Sequence, residues 1–375
     1  MRRGAGGDHD RVSSGSLTRV LGSRRILVAA AIGCLLLAGC TQDQGGGVPT
    51  SSPIESPSPQ STPTPPVLKP PLAGLLDRDG PPPAGFLSVM GGFVVNVHWQ
   101  DVQPTRGGPI ASDNAIDQAI ATLHRIDPSG RMGIKVRLFA GIFAPAWAKS
   151  LDGRPVQIAD SVTGASGSIG RFWTPAFGTA YDDLQAKLAA KYDSAPEIRE
   201  ITISRCTTVY AEPFIRDTAD PVSVGALVGA GFTVAADQTC HREEVLSHQV
   251  WVHTRSDLSF NPYQVVGAGL APDEAFSAEM MSFCRSTLGP RCVLANNSLR
   301  TPLQFPKLYA QIKTLGAPIA FQTAVLNKVG NLGATIDAAI ALGAGSVELP
   351  AGFGSLPVSV LKSYSSRLSA NALNS

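Results

Sequence analysis

From residue 72 onward, short runs of aliphatic and β-branched residues alternate with longer stretches of helical period. The runs at 93–98 (Phe-Val-Val-Asn-Val-His), 133–139 (Gly-Ile-Lys-Val-Arg-Leu-Phe) and 199–205 (Arg-Glu-Ile-Thr-Ile-Ser-Arg) predict strands. So do 257–261 (Asp-Leu-Ser-Phe-Asn), 292–297 (Cys-Val-Leu-Ala-Asn-Asn), 318–323 (Pro-Ile-Ala-Phe-Gln-Thr) and 345–349 (Gly-Ser-Val-Glu-Leu). A weaker run at Phe86–Val89 brings the set to eight. Helical patterns fall near 113–126, 176–192, 239–254, 272–287, 304–315, 331–343 and 357–369. Strands separated by helices pair in parallel through right-handed crossovers. Seven or eight such units predict an α/β fold, a (β/α)8 TIM barrel over residues 72–375. A doubly wound sheet is the alternative. No Gly-rich phosphate loop follows any strand, which weakens a nucleotide-binding version of it.

Successive strand side chains point to opposite faces. In each run one parity is apolar and the other carries polar groups: Asn96 and His98, Lys135 and Arg137, Thr202 and Ser204, Ser259 and Asn261, then Asn296, Gln322 and Glu348. A barrel accounts for this by turning the apolar parity to the helices and the polar parity to the lumen. Many of these residues lie at C-terminal strand ends, where barrel active sites form.

The pattern of the first 71 residues is different. Six arginines and two aspartates occupy residues 1–25, and Ile26–Gly39 is apolar or small throughout. That run is too short to cross a bilayer, which takes about 20 helical residues, but it suits the h-region of a signal peptide. It ends in Leu37-Ala38-Gly39-Cys40, which resembles a bacterial lipobox and implies lipidation of Cys40. Ser23-Arg24-Arg25 resembles a twin-arginine export signal. Residues 1–39 are therefore expected to be removed, and the protein to sit on the extracytoplasmic face of the cell membrane by its lipid. Between Pro49 and Pro71, nine of 23 residues are Pro and eight are Ser or Thr, so residues 40–71 are expected to form a disordered, extended tether.

Composition sharpens this division. The formal charge of the whole chain is +2, and it becomes −2 for residues 40–375. Without a basic surplus there is no electrostatic case for a nucleic-acid partner. After Cys34 and Cys40, four cysteines remain. An even number in an exported chain favours disulfides. Cys284–Cys292 closes a short loop and is the preferred pair, with Cys206–Cys240 as the second. No CxxC or clustered Cys/His spacing supports a metal site, and no cofactor is expected.

With the barrel in place, several segments resemble retaining TIM-barrel glycoside hydrolases of the clan that includes family 42 β-galactosidases and family 5 cellulases. After the strand at 93–98 comes His98-Trp99-Gln100-Asp101-Val102-Gln103-Pro104-Thr105-Arg106-Gly107, similar to the clan's aromatic and polar-Pro-x-x-Gly turn after strand two. After the strand at 133–139 comes Ala144-Pro145-Ala146-Trp147, similar to its Pro-x-Trp loop. The next strand leads to Tyr210-Ala211-Glu212-Pro213, where the clan has Asn-Glu-Pro with Glu as the acid/base. The resemblance implies Glu212 as the general acid. It departs at two places: Ala211 replaces the sugar-holding Asn, and Gln322 stands where strand seven should end in a nucleophilic Glu. Glu348 takes the nucleophile role if the strand count shifts by one.

Glycoside cleavage normally uses two carboxyl groups, about 5 Å apart for retention and roughly 6.5–9.5 Å apart for inversion. With charged residues at only 16%, few acids compete, and the catalytic pair expected is Glu212 and Glu348. Sugar rings are gripped by aromatic faces beside hydrogen-bonding groups. The expected substrate-binding set is Asn96, His98, Trp99, Arg137, Trp147, Trp173, Tyr210, Asn261, Asn296 and Gln322. The long segments 140–175 and 206–238 have the size of functional loops. The function expected is hydrolysis of a poly- or oligosaccharide by a monomer. The alternatives are a catalytically silent glycan-binding barrel, which Gln322 and Ala211 favour, and a two-lobed solute-binding lipoprotein.

Overall fold

The computed structural model describes residues 67–375 except 161–163, 214, 216–219, 270 and 374–375. The expected signal peptide, Cys40 and the tether as far as residue 66 lie outside the described residues.

Eight parallel strands close into a barrel: β1 (Gly74–Asp77), β2 (Met90–His98), β3 (Gly133–Phe139), β4 (Ile198–Thr202), β5 (Arg255–Ser259), β6 (Cys292–Leu299), β7 (Ile319–Thr323) and β8 (Ser346–Leu349). Each strand neighbours its sequence successor, and β1 closes the circle by pairing Leu76 with Glu348 of β8. Among the described residues, one helix of ten residues or more follows each strand from β2 onward: α1 (Ala115–Ile126), α2 (Pro175–Tyr192), α3 (Val234–Ser247), α4 (Glu274–Leu288), α5 (Pro306–Leu315), α6 (Leu332–Ala341) and α7 (Val358–Leu373). This is a (β/α)8 barrel. Its single closed sheet replaces both the doubly wound alternative and the two lobes a solute-binding lipoprotein needs.

The first strand is the one misplaced by the sequence pattern. Phe86–Val89 is not a strand; a 3-10 turn at Ala84–Phe86 leads into β2. The strand instead forms at Gly74-Leu75-Leu76-Asp77, all buried, where only two apolar residues mark it. The total and the order are unchanged, so Gln322 stands on β7 and Glu348 on β8.

Helix starts follow their caps. Asn114 accepts from the Ile116 N–H at 2.8 Å, Thr233 from Ala236 at 3.1 Å and Asp273 from Phe276 at 2.9 Å, each satisfying an orphan donor of the first turn. The main core lies between barrel and helices, with Phe93, Ile134, Val136, Ile201, Leu258, Leu294, Phe321 and Val347 all pointing outward into it. Val293, Ala295 and Ala320 form a separate apolar patch in the lumen.

Residues 67–71, part of the expected tether, are bonded to the barrel. The Lys69 ammonium donates to the Ile198 carbonyl at 2.7 Å and the Thr254 hydroxyl at 2.8 Å, and Arg255 donates to the Lys69 carbonyl at 2.7 Å. These contacts lie at the N-terminal ends of β4 and β5, on the floor of the barrel.

Candidate functional site at the barrel mouth

The lumen is charged at mid-height. Lys135 on β3 lies 3.0 Å from Glu200 of β4 and 2.9 Å from Glu348 of β8, and also donates to Asp257 of β5. Arg137, one lumen position higher, pairs with Glu348 and donates to Gln322 Oε1 at 2.7 Å. Two cations thus meet three carboxylates, all essentially buried. Burial alone would lower the Lys135 pKa, but Asp257, Glu348 and Glu200 overcome it and raise it. Burial likewise pushes Glu348 up, and Arg137 with Lys135 reverses this to hold it below the usual carboxylate range. Glu200 goes the other way: burial, only partly opposed by Lys135, raises it to about 7. With one negative charge in excess, the cluster retains a proton most readily there.

Above this layer the lining turns to amides and hydroxyls. Gln322 Nε2 donates to the Asn297 carbonyl at 3.1 Å, and Arg137 Nη1 reaches Asn96 Oδ1 at 3.4 Å. The Ser259 hydroxyl donates to Asp257 Oδ1 at 2.6 Å and lies 3.1 Å from Asn297 Oδ1. Asn96 is exposed and Gln322 partly so, which places open space over this layer.

Glu212 sits on the loop that leaves β4, and that loop is tied down along its length. Glu244 of α3 accepts the backbone N–H groups of Arg205 at 2.9 Å and Cys206 at 3.0 Å. The Cys206–Cys240 disulfide joins the same point to α3. The loop after β3 then crosses it, with the Ile142 N–H on the Thr208 carbonyl at 2.9 Å. The crossing is so close that a Cβ on Gly141 would lie 1.8 Å from that carbonyl oxygen, which is why glycine stands there. Beyond the crossing, Glu212 is 8% exposed and accepts from Asn261 Nδ2 at 2.5 Å. Asn261 is itself held: Asn296 donates to its Oδ1 at 2.9 Å, and Tyr309 of α5 donates to Asn296 at 3.1 Å. A chain of hydrogen bonds from the outer helix layer therefore fixes the Glu212 carboxylate.

The two expected catalytic acids occupy different settings. Glu212 belongs to the rim, next to Asn261 at the end of β5. Glu348 is 2% exposed in the lumen, with one oxygen on Lys135 and the other on Arg137.

The expected binding residues also separate. Asn96, His98, Arg137, Asn261 and Gln322 share the lumen parity of their strands. The His98 ring stacks on Phe143 with centroids 3.9 Å apart, and its Nδ1 lies 3.2 Å from Asp101. Trp147 is half-buried beside the loop after β3. Tyr210 donates to Asp160 at 2.5 Å, linking the Glu212 loop to the hairpin Val156–Ala159/Ser166–Ile169. Trp173 packs edge-on against Phe172 and Phe232, at 5.0 and 5.2 Å.

Two placements differ from the sequence expectation. Trp99 is 0% exposed, enclosed by Trp147, Phe177 and Tyr181, with its indole N–H on Gln103. A ring with no exposed surface offers no platform for a sugar. Asn296 points outward to Tyr309, while its neighbour Asn297 faces the lumen. Both parities of the run 292–297 are largely apolar, so alternation could not choose between them.

Glu200, Asp257 and Asn297 are the lumen residues missed. The first two carried a usable signal, since Glu200 shares the parity of Thr202 and Ser204, and Asp257 that of Ser259 and Asn261. The second disulfide, Cys284–Cys292, joins the end of α4 to the start of β6, and both cysteine pairs follow the expected connectivity.

No protein-family model matches the chain, and no curated protein matches it. Solved structures do. The catalytic domain of beta-amylase from Paenibacillus polymyxa is 12% identical, over 80% of this chain and 98% of that one, with a TM-score of 0.48. Beta-galactosidase from Rahnella sp. R3 is 14% identical, over 82% of this chain and 58% of that one, with a TM-score of 0.48. Endo-glycoceramidase II from Rhodococcus sp., in its ganglioside GM3 complex, is 14% identical, over 80% of this chain and 81% of that one, with a TM-score of 0.44. These neighbours are glycoside hydrolases. The assignment of the barrel rests on the strand order itself.

Proposed function

We propose that this protein is an extracytoplasmic, lipid-anchored barrel that binds a glycan at its C-terminal mouth without cleaving it by the two-carboxylate route. The observation that carries the reading is the double engagement of Glu348. One oxygen faces Lys135 and the other Arg137, and the acid is buried beneath Gln322 and Arg137. A nucleophile must present a free oxygen to the anomeric carbon, and a general base must reach a water. Glu348 meets neither need, and the amide at Gln322 has no carboxylate to offer.

The chemistry of the mouth supports a hydroxyl-rich, uncharged ligand. The amides of the exposed Asn96 and the partly exposed Gln322 can each donate and accept, as sugar hydroxyls do. His98, stacked on Phe143, adds aromatic surface. Glu212, held by Asn261, supplies a strong acceptor for a hydroxyl.

The fixed position of Glu212 favours a second reading, in which this residue acts as a general acid. One experiment separates the two. The protein is screened against polysaccharides and oligosaccharides for binding and for release of reducing ends. The expected result is saturable binding with no release, and about tenfold or greater weakening in Glu212→Ala, from loss of a charged hydrogen bond of about 1.5–3 kcal/mol. Release of reducing ends that disappears in Glu212→Gln would establish hydrolysis and overturn the binding-only reading.

A further inference from the structure

The strongest unassigned chemistry lies outside the lumen, where α3 meets the base of the Glu212 loop. Cys240, His241 and Glu244 follow one another along α3, with Cys240 and Glu244 one turn apart. Cys206 faces them from the loop after β4. The ligand atoms of Cys206, His241 and Glu244 all lie within 4.8 Å of one another, and every one of these residues is buried. Cys240 is bonded to Cys206, so its sulfur belongs to the same cluster.

We propose that, when the Cys206–Cys240 disulfide is reduced, Cys206, Cys240, His241 and Glu244 form a four-ligand site for zinc or a similar borderline divalent cation. Two thiolates, one imidazole and one carboxylate match the donor types that zinc takes in tetrahedral sites, with bonds of about 2.0–2.3 Å. The surrounding bonds already orient the ligands. His241 Nδ1 faces Glu244 Oε1 at 2.8 Å, while its Nε2 turns to Asp237 Oδ1 at 3.5 Å. Asp237 accepts from Tyr263 at 2.7 Å. Asp237 thus stands beside the ring nitrogen that faces away from Glu244, the position from which a carboxylate orients a metal-bound histidine. Glu244 Oε2 is fixed by the backbone N–H groups of Arg205 and Cys206, which leaves Oε1 on the side of the cluster.

The exchange balances with a dithiol as reductant. The dithiol's two electrons and two protons break the S–S bond and end on the two cysteines, and the dithiol leaves as a disulfide. Metal binding then releases both thiol protons to solvent. The disulfide and the metal are alternative clamps at one point, so the loop bearing Glu212 stays attached to α3 in either redox state.

The test uses the intact protein, reduced with a dithiol or phosphine and transferred to reductant-free anaerobic buffer, then divided between samples with and without zinc. A thiol alkylating agent is added, and peptide mass spectrometry reads each cysteine. Zinc is expected to slow alkylation of Cys206 and Cys240 together by about tenfold or more, while leaving Cys284 and Cys292 unchanged. The protection should fall by about tenfold or more in His241→Ala. Cobalt added to the reduced wild type should give thiolate-to-cobalt absorption that the oxidised protein lacks. Equal alkylation of Cys206 and Cys240 with and without zinc would overturn the proposal, as would protection that survives in His241→Ala.

Discussion

Replacing Lys135 by Met removes the one cation that touches three lumen carboxylates while keeping most of its volume. Glu200 and Glu348 lie 3.0 and 2.9 Å from its ammonium, and Asp257 is also bonded to it. Breaking a buried pair by deleting one partner costs about 3–5 kcal/mol, because the other charge is left buried and uncompensated. Here three charges are left with Arg137 alone, which pairs with Glu348 but with neither of the other two carboxylates, so the loss belongs at the upper end. Against a total stability of about 5–15 kcal/mol this is a large share. The loss must depend on pH. Without the cation, burial acts with less opposition on Glu200 and Glu348 and raises their folded-state pKa values. A group with a raised folded pKa contributes stability below its unfolded value and loses it as pH rises through the folded one. Denaturant titrations of wild type and Lys135→Met should therefore differ most near about pH 8 and much less near about pH 5. A deficit under about 1 kcal/mol, or one equal at both pH values, would refute the view of the lumen as a cation-centred cluster.

Glu200→Gln should flatten the pH dependence of wild-type stability. The folded pKa of Glu200 is raised from 4.5 to about 7, so its contribution is complete below 4.5 and is lost as pH rises through about 7. The variant should be the more stable protein on the alkaline side of that window, as read by denaturant midpoints at stepped pH. The disulfides should differ in worth. Cys206–Cys240 spans 34 residues and Cys284–Cys292 spans eight. Loop-closure entropy gives roughly 4 and roughly 2.5 kcal/mol. Paired Cys→Ser variants in metal-free buffer should unfold in that order.

The strands legible in the sequence were those with clear alternation, because a lumen parity of polar groups and a core parity of aliphatics leave a period of two. That rule fails where a strand is short or apolar on both sides. β1 carries only Leu75 and Leu76 between Gly74 and Asp77, so its signal was weaker than that of the turn at Phe86–Val89. β6 has Val293 and Ala295 in the lumen, so the register of Asn296 and Asn297 could not be chosen. The site was legible as a set of polar positions near strand ends, but not as contacts. Whether Glu348 meets a sugar or two cations depends on which side chains cross the lumen, and strand pattern does not encode this. Trp99 shows the same limit: a tryptophan just after a strand reads alike whether its loop folds outward or, as here, over Phe177 and Tyr181.

The floor of the barrel has a mechanical consequence. A pull on the chain from upstream of Val67 does not reach β1 directly. It is taken first by His253, bonded to the Val67 carbonyl at 2.8 Å, and then by Lys69, whose backbone N–H holds the His253 carbonyl at 3.0 Å. The Lys69 side chain spreads the load further onto Ile198 and Thr254, and Arg255 holds its carbonyl. Tension is thereby distributed to the starts of β4 and β5, two long-range anchors in the sheet, before it can peel the four-residue β1 from its seam between β8 and β2. The four-residue β1 is thus shielded by a strain relief at the base of the barrel.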